Sequence, residues 1–263
     1  MTAGDASRDK PAIKQAVMLM AGSGSRLRLA NANLLKPLVP INGKPLVSFT
    51  LDLLAQRGIE KVFAVVGFES ESLISGLRPI VPPALEIQFI HNPDWRKQNG
   101  VSLLAAAPYV KGPFLLAMSD HLFQPAMIDH LLQEADPTKT NLAIDRKLDS
   151  IFDLSDALKL QTRGDRVIAI GKNLSQFDAI DTGLFLCSPD IFQSLRQAMQ
   201  DGDCSLADGI RVMSATGNFH LVDIGASWWQ DVDTPEMLAE AERRIRSGEH
   251  WPGLARSSQG TPF

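Results

Sequence analysis

The feature that most limits how this chain can fold is the alternation, over its first half, of short apolar runs with helical patterns. Apolar runs at residues 15–21, 62–66, 85–90 and 114–118 are interleaved with helical spacing at 45–57, 70–77, 101–107 and 125–135. Strands separated by helices cannot pair as hairpins and must return through crossovers, which predicts a parallel, doubly wound sheet covered on both faces. The pattern then changes. Strand-like runs follow at 140–144, 157–162, 167–170 and 180–187, and Thr162-Arg163-Gly164-Asp165 reads as a hairpin turn. This stretch is expected to add antiparallel pairs to the same sheet. Helices at 189–199, 206–214 and 235–246 and a strand at 219–223 follow, and three predicted helices open on proline, after Ser188, Gln124 and Thr234. The expectation is one α/β domain over 14–245 with a strand-rich lobe, between flexible tails at 1–13 and 246–263.

Composition narrows the function classes. A formal net charge of -4 argues against a surface that coats nucleic acid, although a local basic site is compatible with it. Cys187 and Cys204 are the 2 cysteines, too few for a disulfide framework or a Cys-rich zinc site, and a reducing compartment suits them. The opening MTAGDASRDKPAIK is polar and carries acids, unlike a secretory signal, and no apolar run approaches the roughly 20 residues that span a bilayer. A cytoplasmic protein is expected.

Three stretches carry charge at places where an α/β sheet binds ligands. In VMLMAGSGSRLRLANANLLKPL, residues 17–38, an apolar run breaks into Ala21-Gly22-Ser23-Gly24-Ser25-Arg26, and Lys36-Pro37 follows. Glycines let backbone N–H groups approach a phosphate, and Arg26 can grip its oxygens bidentately. A plain turn with a solvated arginine explains Gly-Ser-Gly alone, and Lys36, which Pro37 is expected to hold extended, favours the anion site. The stretch lacks the Gly-Lys-Ser/Thr of a Walker loop and the third glycine of a dinucleotide fingerprint. In LLAMSDHLFQP, 115–125, a buried strand delivers Ser119, Asp120 and His121 at its carboxyl end, where open sheets place ligands. Asp120 there suits Mg²⁺, or it caps the next helix, and His121 is as often a packing neighbour as a catalyst. In WWQDVDTPEM, 228–237, Asp231 and Asp233 sit on an extended segment read as turning only one of them to a metal, while Thr234 caps the last helix.

Two stretches are less specific. NGVSLLAAAPYV, 99–110, opens a helix at Asn99-Gly100, where small residues including Ser102 could take a flat base, or simply start the helix. In IGKNLSQFDAIDTGLFLCS, 170–188, Asp181-Thr182-Gly183 interrupts an otherwise apolar strand and Lys172 precedes it. A carboxylate and a hydroxyl there suggest a polyol-binding edge, or a strand that dips to solvent. No Ser-His-Asp or Cys-His set stands out, which leaves chemistry by positioning, charge neutralisation and metal.

Together these stretches resemble the nucleotidyltransferases that activate sugar phosphates. Within that superfamily, NGVSLL, MSDHLF, VIAIGKNLSQFDAIDTGLF and WWQDVDTPE resemble the inositol-1-phosphate cytidylyltransferases, in order, over roughly residues 14–245. Met20 before Ala21 and Leu35 before Lys36-Pro37 depart from the family pattern without removing a charge. The resemblance implies a Rossmann-like doubly wound mixed sheet, a single nucleotidyltransferase domain whose strand-rich lobe binds the acceptor. It also implies that CTP and 1L-myo-inositol 1-phosphate give CDP-inositol and pyrophosphate. The expected catalytic residues are Arg26, Lys36 and Asp120. Nucleotide is expected at Ala21, Gly22, Ser23, Gly24, Ser25, Arg26, Lys36, Asn99, Gly100 and Ser102. Acceptor is expected at Lys172, Asp181, Thr182 and Gly183, and Mg²⁺ on Asp120 and Asp233 with Asp231 as the alternative. In archaeal and thermophilic relatives the domain is often fused to a membrane-embedded transferase, so here the product is expected to pass to a separate phosphotransferase. Another acceptor (a hexose 1-phosphate, phosphocholine or a phosphonate) or a non-catalytic nucleotide-sensing module of the same fold are the competing readings.

Overall fold

The structure, a computed structural model, describes residues 12–28 and 35–248. In chain order the first half forms β1 (Gln15–Met20), the single-turn α1 (Ser25–Arg28), β2 (Pro40–Ile41), β3 (Lys44–Pro45), α2 (Leu46–Gln56), β4 (Lys61–Val66), α3 (Ser70–Leu77), β5 (Glu86–His91), α4 (Asn99–Ala106), β6 (Phe114–Met118), β7 (His121–Phe123) and α5 (Pro125–Glu134). The second half adds β8 (Thr140–Asp145), β9 (Lys159–Arg163), β10 (Arg166–Gly171), β11 (Ala179–Cys187), α6 (Asp190–Ala198), α7 (Leu206–Thr216), β12 (Phe219–Asp223), β13 (Trp229–Asp231) and α8 (Pro235–Ser247). The predicted tails lie mostly outside the described residues. Arg246 and Ser247, expected in the second tail, instead complete α8, which Gly248 ends in a left-handed conformation.

A nine-stranded sheet holds the fold together, in the order β10-β9-β11-β6-β1-β4-β5, with β8 and β12 attached beyond β11. β1 pairs in parallel with β4 on one side and β6 on the other. Its alternate residues enter opposite layers: Ala16, Met18 and Met20 join the core under α2, α5 and α8, and Val17 and Leu19 join the core under α4, α6 and α7. A strand buried on both faces reads as a continuous apolar run, which is why 15–21 is so plain in the sequence. β11 is antiparallel to β6, β8 and β9, so the second lobe extends the same sheet as expected. β12 departs from that expectation by pairing with β8 in parallel.

Two features of this topology place functional groups. The chain leaves β1 for β4 and β5 and then returns to the other side of β1 as β6, so β1 and β6 flank the switch point where open α/β sheets bind ligands. β11 pairs with β6 through Leu184–Cys187 but with β9 through Ala179 and Ile180. Between those segments its register slips at Asp181–Phe185, and Gly183 adopts φ 74°. The sheet splits there, and the gap between β6 and β9 opens to a cavity.

Gly100 lets α4 pack tightly. A Cβ there would meet the Cys204 carbonyl oxygen at 2.6 Å and its sulfur at 2.9 Å. Gly100→Ala is therefore expected to cost about 1–3 kcal/mol, the usual range for overpacking, read as a lower urea midpoint with an unchanged slope.

Candidate active site

The loop after β1 and the end of β6 lie side by side because Leu19 is in register with Met118. Ser119 N–H donates to the Leu19 carbonyl (3.2 Å) and carries the chain directly to Asp120. Asp233, far away in sequence, reaches the same point through a small antiparallel sheet in which β13 pairs with β7, Asp231 opposite His121. Val232 N–H then donates to the Asp120 carbonyl (2.9 Å) and fixes Asp233 beside it, before Thr234 caps α8 through its hydroxyl.

Lys36 is the hub. Pro37 was expected to hold it extended; instead Leu35 is extended and Lys36 opens a 3₁₀ turn, Lys36–Leu38, closed by Leu38 N–H on the Leu35 carbonyl (2.8 Å). Gly24 (φ 61°) lies against the lysine stem, where a Cβ would come within 2.7 Å of Lys36 Cβ. The Lys36 side chain is 9% exposed, and Nζ donates to Asp120 Oδ2 (2.5 Å) and to Asp233 Oδ1. Burial alone would lower the lysine pKa, but the Asp120 and Asp233 charges outweigh it and raise it. Asp120 is driven the other way. Burial opposes its ionisation, yet Lys36 and then His121 hold its carboxyl far below the usual range.

The ion pairs extend from this hub in both directions. Arg26 donates through Nη2 to Asp233 Oδ2 and through Nη1 to Asp156 Oδ2 (2.8 Å). Asp156 Oδ1 in turn accepts from Lys172 Nζ (2.6 Å). At the other end, Asp120 Oδ1 lies 2.7 Å from His121 Nδ1. The result is a file of alternating charge: Lys172, Asp156, Arg26, Asp233, Lys36, Asp120, His121. Burial would lower the His121 pKa, but Asp120 and Asp231 raise it. Its ring stacks on Trp229 (centroids 5.7 Å apart), whose indole N–H donates to the buried Asp145 (3.0 Å).

Two cavities adjoin this file and share Asp233. The smaller, about 320 Å³, is lined by Gly22, Ser23, Gly24, Ser25, Arg26, Lys36, Ser119 and Asp120. It is the loop site anticipated from the sequence; Ala21 sits behind it, its carbonyl taking the Phe68 N–H (2.9 Å). The larger, about 540 Å³, opens where β11 splits the sheet and includes Lys172, Asp181 and Gly183. Gly183 is required there, since a Cβ would meet the His121 ring and Met118 at 2.9 Å.

Several expectations need correction. Thr182 does not face the cavity: neighbours on a strand point to opposite sides, and its fully buried hydroxyl donates to the Ala143 carbonyl (2.7 Å). Gly100 and Ser102 line neither cavity; Gly100 packs on Cys204 and the Ser102 hydroxyl accepts from Asn92 Nδ2 (3.0 Å). Asn99 lines the larger cavity rather than the smaller, with its Oδ1 accepting from Leu206 N–H (2.9 Å). The reading that only one of Asp231 and Asp233 faces the site also fails, because residues two apart on extended chain share a face, and both line the larger cavity. Sequence reasoning missed Asp156, Trp229 and Arg211, which also line it. Asp156 sits in a run of turns that carries no motif.

The fit to a divalent cation can be judged from the donors. Asp120 Oδ2 and Asp233 Oδ1 converge on Lys36 Nζ while their other oxygens meet His121 and Arg26, and each of these oxygens keeps a further lone pair. Among the described residues no group of three or more His, Cys, Asp or Glu side chains is disposed to hold a metal. Two carboxylates suit Mg²⁺, which completes its shell with substrate phosphates and water.

A doubly wound sheet with a glycine loop, a buried lysine and paired carboxylates at its switch point defines an α/β protein with two cavities meeting at one charged centre. The chain belongs to the family of the MobA-like NTP transferase domain, whose model matches residues 16–205. It is 33% identical over 233 residues to the bifunctional IPC transferase and DIPP synthase of Rubrobacter xylanophilus and 31% identical over 234 residues to that of Thermococcus kodakarensis. These matches cover 88% of this chain and 51% and 50% of the relatives, so the chain spans about half their length. Among solved structures it resembles the inositol-1-phosphate CTP transferase from T. maritima, with 25% identity and a TM-score of 0.79 over 91% of this chain and 98% of that one.

Asp181 links this geometry to stability. Its Oδ1 accepts from Gly183 N–H (2.7 Å), and burial raises its pKa to about 6 from 3.8 against the pull of that N–H and of His121. The folded state thus holds this proton more tightly than the unfolded state does. The cost of ionised Asp181 is absent below the unfolded value and grows to its full size as pH rises through about 6. Asp181→Asn keeps the acceptor for Gly183 and is expected to stabilise the protein at pH 8 by roughly 2–3 kcal/mol, with little effect at pH 4. Urea unfolding at the two pH values checks it, and equal effects at both would remove Asp181 as the source.

Proposed function

We propose that the chain is a Mg²⁺-dependent cytidylyltransferase that converts CTP and 1L-myo-inositol 1-phosphate to CDP-inositol and pyrophosphate. The observation that carries this reading is the pair of cavities meeting at Asp233, one built from a glycine loop with Arg26 and Lys36, the other from hydrogen-bonding groups with a lysine at its rim. The names of the relatives support the substrates, and the ion file supports the chemistry.

The acceptor phosphate is already an anion, so attack on the α-phosphorus of CTP requires no general base. What the chain must supply is alignment and relief of repulsion between two anions. In this reading Gly22, Ser23, Gly24 and Ser25 take the triphosphate with Arg26, and Lys36 stands nearest the reacting phosphate. Asp120 and Asp233 would hold Mg²⁺, which neutralises phosphate charge when bound. Lys172 takes the acceptor phosphate, and Asp181 accepts from ring hydroxyls. Phosphocholine suits the larger cavity less well, because its ammonium favours an aromatic cage and, of the described tryptophans, Trp229 alone lines that cavity. Both substrates are charged and water-soluble, which fits a cytoplasmic enzyme.

The test is a grid of nucleoside triphosphates against phosphorylated acceptors, with and without Mg²⁺, read by pyrophosphate release. CTP with inositol 1-phosphate is expected to lead, and faster turnover of glucose 1-phosphate or phosphocholine would overturn the acceptor. Arg26→Ala is expected to lower kcat/KM by about 100-fold or more, equivalent to about 3 kcal/mol. A loss under threefold would return the loop to a structural turn. On the acceptor side, Asp181→Ala is expected to raise KM for inositol 1-phosphate about tenfold while leaving that for CTP nearly constant. Parallel rises in both would mean that Asp181 acts on the site as a whole.

A further inference from the structure

Asp156 joins two cations of the ion file that line different cavities. Arg26 Nη1, in the smaller cavity, meets its Oδ2 at 2.8 Å, and Lys172 Nζ, in the larger, meets its Oδ1 at 2.6 Å. A carboxylate with one cation on each oxygen resembles in charge and shape the phosphate that each cation would otherwise bind.

The position of Asp156 is built rather than incidental. Its backbone N–H donates to Asp153 Oδ1 (3.2 Å), and Ala157 N–H to the Asp153 carbonyl (3.1 Å), which fixes the turn. Beneath it Lys159, 7% exposed, points its ammonium at three carbonyls: Ser155 (3.0 Å), Ala157 (3.3 Å) and Lys172 (2.8 Å). This buried cation ties the residues on both sides of Asp156 to the backbone of Lys172. An anion fixed in this way stays when substrates arrive, so it both competes for Arg26 and Lys172 and holds those like charges at one spacing.

We propose that Asp156 is a positioning residue, a built-in stand-in for substrate phosphate that sets the distance between the nucleotide-phosphate and acceptor-phosphate subsites at some expense in affinity. The proposal rests on the cytidylyltransferase reading for the identity of the two ligands. Its consequence is a split between binding and turnover. Without the carboxylate, each incoming anion meets less negative charge and binds more tightly, while Arg26 and Lys172 repel one another and lose alignment.

The test uses Asp156→Asn and Asp156→Glu in the full chain. Titration with CTP alone is expected to give a Kd about threefold or more tighter for Asp156→Asn, whereas kcat falls about tenfold or more. Asp156→Glu restores the charge but adds a methylene, so its CTP Kd is expected near wild type with kcat still reduced. A residue that merely supports Arg26 predicts the opposite sign, weaker CTP binding in Asp156→Asn. Weaker or unchanged binding overturns the proposal, as does a wild-type kcat in that variant. If the wild-type protein binds CTP but turns over no acceptor, the cytidylyltransferase reading fails, and the sign of the CTP effect still decides the role of Asp156.

Discussion

Burial of one ammonium group, that of Lys36, organises this molecule. Removing a cation and two carboxylates from water costs several kcal/mol per ion, and only close contact among them offsets it. Asp120 and Asp233 both reach Lys36 Nζ, so each of the three charges has an opposite charge in contact. Much of the surrounding architecture serves that contact: Gly24 yields space for the lysine stem, β1 and β6 lie in register, and the β7–β13 pair brings Asp233 to Asp120.

The same arrangement is preorganised. A site that balances three carboxylates against Lys36, Arg26 and His121 holds its charges in place before a ligand arrives, as the proposed phosphoryl chemistry would require. The carboxylates keep the cations ionised and oriented, and the cations keep Asp120 ionised despite its surroundings. At the larger cavity the device is different. There the strand β11 changes partners at Asp181–Gly183, and the loss of regular pairing opens the larger cavity. Asp181 is left with a raised pKa as the cost of facing that cavity from a mostly apolar strand.

The agreement between site geometry and relatives is at the level of the family. The MobA-like NTP transferase match spans residues 16–205, the part that carries the loop, Lys36, Asp120, Lys172 and Asp181. Asp233 and the β13 segment that delivers it lie beyond the matched region. Both halves of the proposed metal site are thus present in one described fold, although they reach it by separate routes.

The doubly wound half, the switch-point loop and the acid at the end of β6 were legible in the sequence because each rests on local pattern. A buried parallel strand is a run of apolar residues, and a loop that must approach anions shows its glycines and cations. The hairpin at 162–165, the proline that opens α5 and the Thr234 cap on α8 were legible for the same reason. Side-chain direction was not. Thr182 and Asp181 are adjacent letters, and only the pairing of β11 with β8 decides that Asp181 faces the cavity and Thr182 the core. Asp231 and Asp233 share a face for the converse reason, a spacing of two on extended chain. Gly100 and Ser102 look like a binding motif, but α4 uses them for contact with Cys204 and Asn92. Asp156 was illegible altogether, since its role depends on two cations 130 and 16 residues away. The sequence by itself determined which elements form and which charges are available; the tertiary structure alone decided which charges meet, because burial makes ion pairs obligatory only where the fold brings them together.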